Sequence, residues 1–154
     1  MMSSTRIIAA IAATSLIVGV ASAETLSPDQ VKFADGAVAQ SLTGAAGDPV
    51  AGRELFANRK LGNCLACHQN PEMPEQAFQG ETGPTLEGVA GRYDETHLRG
   101  LVVNSKMTFE DTMMPSFYRS SGFYRVAGKF ADKTILSAQQ VEDVVAYLKT
   151  LKDE

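Results

Sequence analysis

Cys64-Leu65-Ala66-Cys67-His68 is the stretch from which the rest of the chain is read. The chain has two cysteines and two histidines in all, and this segment holds both cysteines with a histidine directly behind them. Residues i and i+3 at the start of a helix face the same side, so both sulfurs can reach one edge of a single porphyrin. His68, one residue on, is then aimed at its iron. This is the spacing of c-type haem attachment. Two other chemistries use paired cysteines. Zinc needs four ligands, and beyond this segment only the distant His97 remains as a soft partner. A thioredoxin-like dithiol expects a βαβ context, and no strand alternation surrounds the motif. The single disulfide ordinary in a small secreted protein is displaced if both sulfurs form thioethers.

An iron held by His68 needs a ligand on its other side. The candidates are Met73, Met107, Met113, Met114 and His97. Met114 is preferred, because Pro115 biases its predecessor to an extended conformation and lets the thioether project from a loop. Met73, five residues from His68, is hard to bring over the opposite face. Met107 and Met113 are expected to pack in the core. His97 follows Asp94-Glu95-Thr96 at a helix start and is expected as a solvated imidazole. Ligation by His and Met raises the reduction potential relative to stronger donors and leaves no position open to substrate.

Outward from this site, the N-terminus reads as an export signal. Arg6 supplies the positive region, Ile7 to Val20 the apolar region, and Ala21-Ser22-Ala23 a small-residue cleavage site. About 14 apolar residues fall short of the roughly 20 a spanning helix needs. Residues 1–23 are therefore expected to be cleaved, leaving a periplasmic chain that begins at Glu24. Loss of Arg6 leaves 13 basic against 18 acidic residues and takes the formal charge from −4 to −5. That balance argues against nucleic acid and for soluble protein partners. The size of the remainder suits one domain.

Four helical pieces are expected. Ser27-Pro28-Asp29-Gln30 has the capping-box form, followed by Val31, Ala34, Val38 and Leu42 at helical spacing. Asp48-Pro49 starts a second, with Gly62 as its stop. Asp94 caps a third, in which Leu98, Leu101 and Val102 share a face. Ser137 with Gln140 caps the fourth, whose apolar stripe runs through Val141, Val144, Val145 and Leu148 to Leu151. The expected fold is all-α with long irregular loops, and long loops in a small domain suggest an enclosed site. The boundaries expected are an N-terminal extension over 24–47 and the haem domain over 48–154.

The motif, with Gly83-Pro84-Thr85-Leu86 downstream, resembles class I cytochromes c. That resemblance implies that the Pro84 carbonyl meets His68 and fixes its tautomer; the alternative is an ordinary turn. Gly52 and Phe56 with Tyr147 resemble the crossing of that family's terminal helices. A finer resemblance, from about Asp35 onward, is to the SoxX family, the small cytochrome subunits of bacterial thiosulfate-oxidising SoxAX complexes. It is carried by Gly44-Ala45-Ala46-Gly47-Asp48-Pro49, Gly88-Val89-Ala90-Gly91-Arg92-Tyr93, Leu98-Arg99-Gly100-Leu101-Val102-Val103-Asn104, Met113-Met114-Pro115-Ser116-Phe117-Tyr118-Arg119, and the segment from Ile135 to Leu148. It implies one haem c and a heterodimer with a SoxA-like haem subunit that couples thiosulfate to a carrier-protein cysteine. This chain would then be the electron-transfer subunit of that L-cysteine S-thiosulfotransferase, without catalysis of its own, and would pass electrons to a soluble cytochrome c. The alternatives are a free periplasmic electron shuttle and a haem enzyme whose iron can open. Phe117, Tyr118, Phe123 and Tyr124 are expected to line the core and the haem pocket. The Ser27–Leu42 segment either faces a partner or straps the domain's own surface.

Overall fold

The computed structural model describes residues 24–153; the expected export signal lies outside them. Asp48 accepts the Val50 N–H at 2.8 Å, and with Pro49 at the first position this starts α1 (Pro49–Ala57). The helix stops at Asn58 rather than at Gly62. Gly62 serves the loop that returns along α1, where a Cβ would lie 2.6 Å from the Leu55 carbonyl oxygen. A short turn of helix not foreseen, α2 (Val89–Arg92), follows Gly88, which has φ +59°. Asp94 accepts the His97 N–H at 2.9 Å and caps α3 (Glu95–Asn104). That bond, followed by those from the Thr96 hydroxyl and the His97 ring, holds the Asp94 carboxyl below the usual carboxylate range. Ser137 and Gln140 cap α4 (Ala138–Leu148) reciprocally, as the capping box requires.

The core forms where α1 and α3 pack on α4. Val141, Val144, Val145 and Leu148 are buried along one face of α4, against Phe56, Leu98, Val102 and Val103. At the α1–α4 crossing a Cβ on Gly52 would overlap the Asp143 carbonyl, so the absent side chain sets how closely the helices approach. One turn further along, the Phe56 and Tyr147 rings meet edge to face, centroids 5.7 Å apart. Leu151 lies past the end of α4 yet is buried, and its carbonyl accepts the Ala90 N–H at 2.9 Å, docking α2. Among the described residues the only β pairing is an isolated bridge between Ala34 and Ala37, so the fold is the all-α one expected.

The first helix expected does not form. Its capping box closes a single 3-10 turn, Pro28–Gln30, and Asp35 and Gly36 then reverse the chain with φ of 50° and 81°. Glycine is required at 36 by that φ and because a Cβ there would overlap Thr108, and at 100 because a Cβ there would overlap the Gly36 carbonyl. The residues at helical spacing serve instead as anchors of an extended strap. Val38 and Leu42 are buried, the Val38 N–H donates to Thr96 O at 2.9 Å, and the Tyr118 hydroxyl donates to Leu26 O at 2.6 Å. The segment thus lies across its own domain.

Beneath the strap Arg99 and Glu142, both almost fully buried, form a two-pronged ion pair at 2.9–3.1 Å. Arg99 also donates to Val38 O at 3.0 Å, and Glu142 accepts the Leu42 N–H at 2.7 Å. One charged pair thus joins the strap, α3 and α4.

Candidate haem site

The loop after α1 is turned by Asn63 at φ 50° into a 3-10 turn over Cys64–Ala66. The N–H groups of Cys67 and His68 both donate to Cys64 O, at 3.1 and 3.0 Å. Cys67 closes the turn as its C-cap, so the two cysteines belong to one turn of the loop even though no α-helix forms. Both cysteines are unpaired and partly buried, and burial pushes the Cys64 thiol up to about 12, keeping it uncharged.

His68 Nδ1 lies 2.8 Å from the Pro84 carbonyl oxygen. A carbonyl can only accept, so Nδ1 carries the proton and Nε2 presents a lone pair. Pro84 is placed by a ladder of loop bonds: Gly80 N–H to Leu65 O at 2.8 Å, Gly83 N–H to Cys67 O at 2.7 Å, and Leu86 N–H to Gln69 O at 2.9 Å. Arg92 Nη2 adds a bond to Thr85 O at 2.8 Å. Gly83 lies against the imidazole, where a Cβ would come within 2.6 Å of Nδ1. The neighbouring Asn70, fully buried, donates to the Tyr147 hydroxyl at 2.8 Å and ties this loop to α4. The sequence offered Gly83 and Arg92 only as members of family-like segments, without these roles, and did not mark Asn70, whose partner Tyr147 lies far along the chain.

Met114 is partly buried and packs on the same core as Cys64. Its N–H donates to Thr112 Oγ1, and its carbonyl accepts from Ser105 Oγ and Lys106 Nζ. Met113 and Met107 are 78% and 52% exposed, which corrects the expectation that they fill the core. Met73 takes that part instead and is fully buried. His97 is half-buried and bonded to Asp94 at 3.0 Å. The aromatic group divides: Phe117 and Tyr118 are buried, with their N–H groups donating to Val102 O and Val103 O, whereas Phe123 and Tyr124 are exposed. The segment beyond Ser120 turns on itself through Arg119, which donates to Ser121 O and Gly122 O.

Two free thiols, a histidine with its tautomer set, a cleared space at Gly83 and a thioether packed on the same core fit a covalently attached haem. They do not fit zinc: among the described residues no cluster of His, Cys, Asp or Glu could hold a metal ion. Residues 49–152 match the family model described as cytochrome c.

This chain belongs to the cytochrome c family.

Its cofactor is one haem c, and it is an electron-transfer domain. It is 31% identical over 112 residues to the cytochrome c of Euglena viridis, spanning all of that protein and 70% of this one. Among solved structures it is similar to a chain in the crystal structure of SoxXA from P. pantotrophus. The two share 46% identity with a TM-score of 0.79, covering 84% of this cytochrome c and 99% of that chain. The SoxX resemblance drawn from the scattered sequence segments is thus met by a match along almost the whole of one SoxXA chain.

Proposed function

We propose that this cytochrome c is the electron-transfer subunit of a periplasmic SoxXA-type complex, paired with a SoxA-like haem subunit. The observation that carries this is the 46% identity across 99% of a SoxXA chain. In the proposed arrangement residues 1–23 direct export, 24–47 form the strap and 48–154 the cytochrome domain. Cys64 and Cys67 attach the haem, His68 and Met114 are its axial ligands, and the Pro84 carbonyl holds the His68 tautomer. When bound, the haem supplies a one-electron couple.

The chain's own residues then keep that couple closed. His68 is fixed from behind and Met114 through both its backbone polar groups, so that the two together would leave no iron position open to substrate. Coupling thiosulfate to a carrier-protein cysteine releases two electrons and a proton. The partner's haem site does that chemistry, this chain accepts the electrons singly, and a soluble cytochrome c removes them.

Purification of the tagged chain from the periplasm is expected to bring down a haem-bearing partner. The pair should be reduced by thiosulfate in the presence of carrier protein. A chain that purifies alone and exchanges electrons directly with an oxidase would instead be a free shuttle, and the subunit reading would be overturned.

A further inference from the structure

The methionine proposed as sixth ligand is fastened by side chains outside its own loop, and the strongest of these fastenings is a lysine. Lys106 stands in the 3-10 turn Ser105–Met107 that prolongs α3. Its stem crosses to the loop that carries Met114, where Nζ donates to Met114 O at 2.6 Å and Thr112 O at 3.2 Å. Ser105, whose side chain is buried, donates to the same Met114 carbonyl at 3.1 Å. The Met114 N–H is held by Thr112 Oγ1 at 3.2 Å. One residue past Pro115, Ser116 Oγ donates to Asn104 Oδ1 at 2.6 Å, so the loop is pinned on both sides of the methionine to the end of α3.

The chemistry of the clamp is specific. A carbonyl that accepts from an ammonium and a hydroxyl together is bound more tightly than one facing water, since charge-assisted bonds are the stronger kind. Lys106 is exposed, so burial does not demand that its amine find these carbonyls. Met113, next in the chain, is 78% exposed and adds no apolar anchor beside Met114, which itself is only partly buried against the core. The bonds from Lys106, Ser105 and Ser116 therefore add to what keeps the Met114 thioether in place.

We propose that Lys106 is a positioning residue for the axial methionine: its ammonium clamps the Met114 and Thr112 carbonyls, and releasing it lets the thioether leave the iron. This rests on the reading of Met114 as the sixth ligand.

The test uses the full chain with its haem attached and reads the ferric Met–iron charge-transfer band together with the affinity for added imidazole. An external ligand binds in proportion to the population in which the sixth position is open. Lys106→Met keeps the stem and removes the ammonium. It is expected to weaken the band and to raise imidazole affinity by about tenfold, while Lys106→Arg stays within about twofold of the parent. Lys129→Met removes an equal charge from a lysine whose ammonium lies over Phe130, 4.7 Å from the ring centroid, and is expected to leave imidazole affinity unchanged. Met114→Ala separates the two readings. If it abolishes the band while Lys106→Met binds imidazole no better than Lys129→Met, the clamp is overturned and the ligand assignment stands. If Met114→Ala leaves band and affinity as they were, the ligand assignment itself falls.

Discussion

At the scale of single residues, the orientation of His68 is decided by what stands behind the ring. Pro84 contributes a carbonyl rather than a side chain, and Gly83 contributes the lack of one. The imidazole occupies the space a Cβ would take, within 2.6 Å of Nδ1 and 2.9 Å of Nε2. Gly83→Ala therefore forces the ring or the loop to move, and since the loop is fixed by the Cys67, Leu65 and Gln69 carbonyls, the ring is the softer party. Overpacking of this kind costs about 1–3 kcal/mol. We expect Gly83→Ala to lower the urea midpoint of the haem-loaded protein accordingly and to shift its reduction potential. Gly128→Ala, where a Cβ meets nothing within 4 Å, should do neither. Equal behaviour of the two variants would show that the ring has slack and that Gly83 does not position it.

At the scale of elements, the crossing of α1 and α4 rests on Gly52. A methyl group there overlaps a backbone carbonyl, that of Asp143, which cannot swing aside as a side-chain tip could. Gly52→Ala is expected to part the helices, open the Phe56–Tyr147 contact and cost at least about 1–3 kcal/mol, read as an earlier urea midpoint and a loss of near-ultraviolet dichroism from Tyr147. This contact was legible in the sequence, as were the starts of α1, α3 and α4, because a cap acts within three residues of itself. The strap was not. Its capping box is genuine, but a box closes one turn, and isolated helices shorter than about 12–15 residues are marginal in water. What takes Val38 and Leu42 away from a helix is a reversal at Asp35 and Gly36 and bonds to Thr96, Arg99 and Glu142, all far along the chain. Methionine burial was illegible for a related reason. Met73 and Met113 are alike as side chains, and only the tertiary fold puts one inside and the other out.

At the scale of the whole molecule, the buried Arg99–Glu142 pair is the joint where the strap, α3 and α4 meet. Burial works against the Arg99 charge, but the hydrogen bonds and charge of Glu142, then Glu95, hold its guanidinium above its ordinary value. Glu95 in turn reaches the Lys149 ammonium just past α4, so the charges run from the strap to the C-terminal helix. A buried pair of this sort contributes little over an apolar filling, yet breaking it by removing one partner costs about 3–5 kcal/mol, because the other charge is left uncompensated. That is a large share of the roughly 5–15 kcal/mol by which a domain is stable. Arg99→Met leaves Glu142 buried without a charged partner, so it should lose stability in that range and loosen the strap, seen as faster hydrogen exchange at the Val38 and Leu42 amides. Glu142→Gln keeps the shape and an acceptor for the Leu42 N–H and leaves Arg99 its bond to the half-exposed Glu95, so it should lose less. The double variant Arg99→Met with Glu142→Leu removes both charges and should lose markedly less than Arg99→Met and Glu142→Leu made singly and added together, retaining only the cost of unpairing the Val38 carbonyl and the Leu42 N–H, about 1–3 kcal/mol each. Strictly additive losses would mean that the two charges do not act as a unit, and the strap would then be held by the burial of Val38 and Leu42 alone.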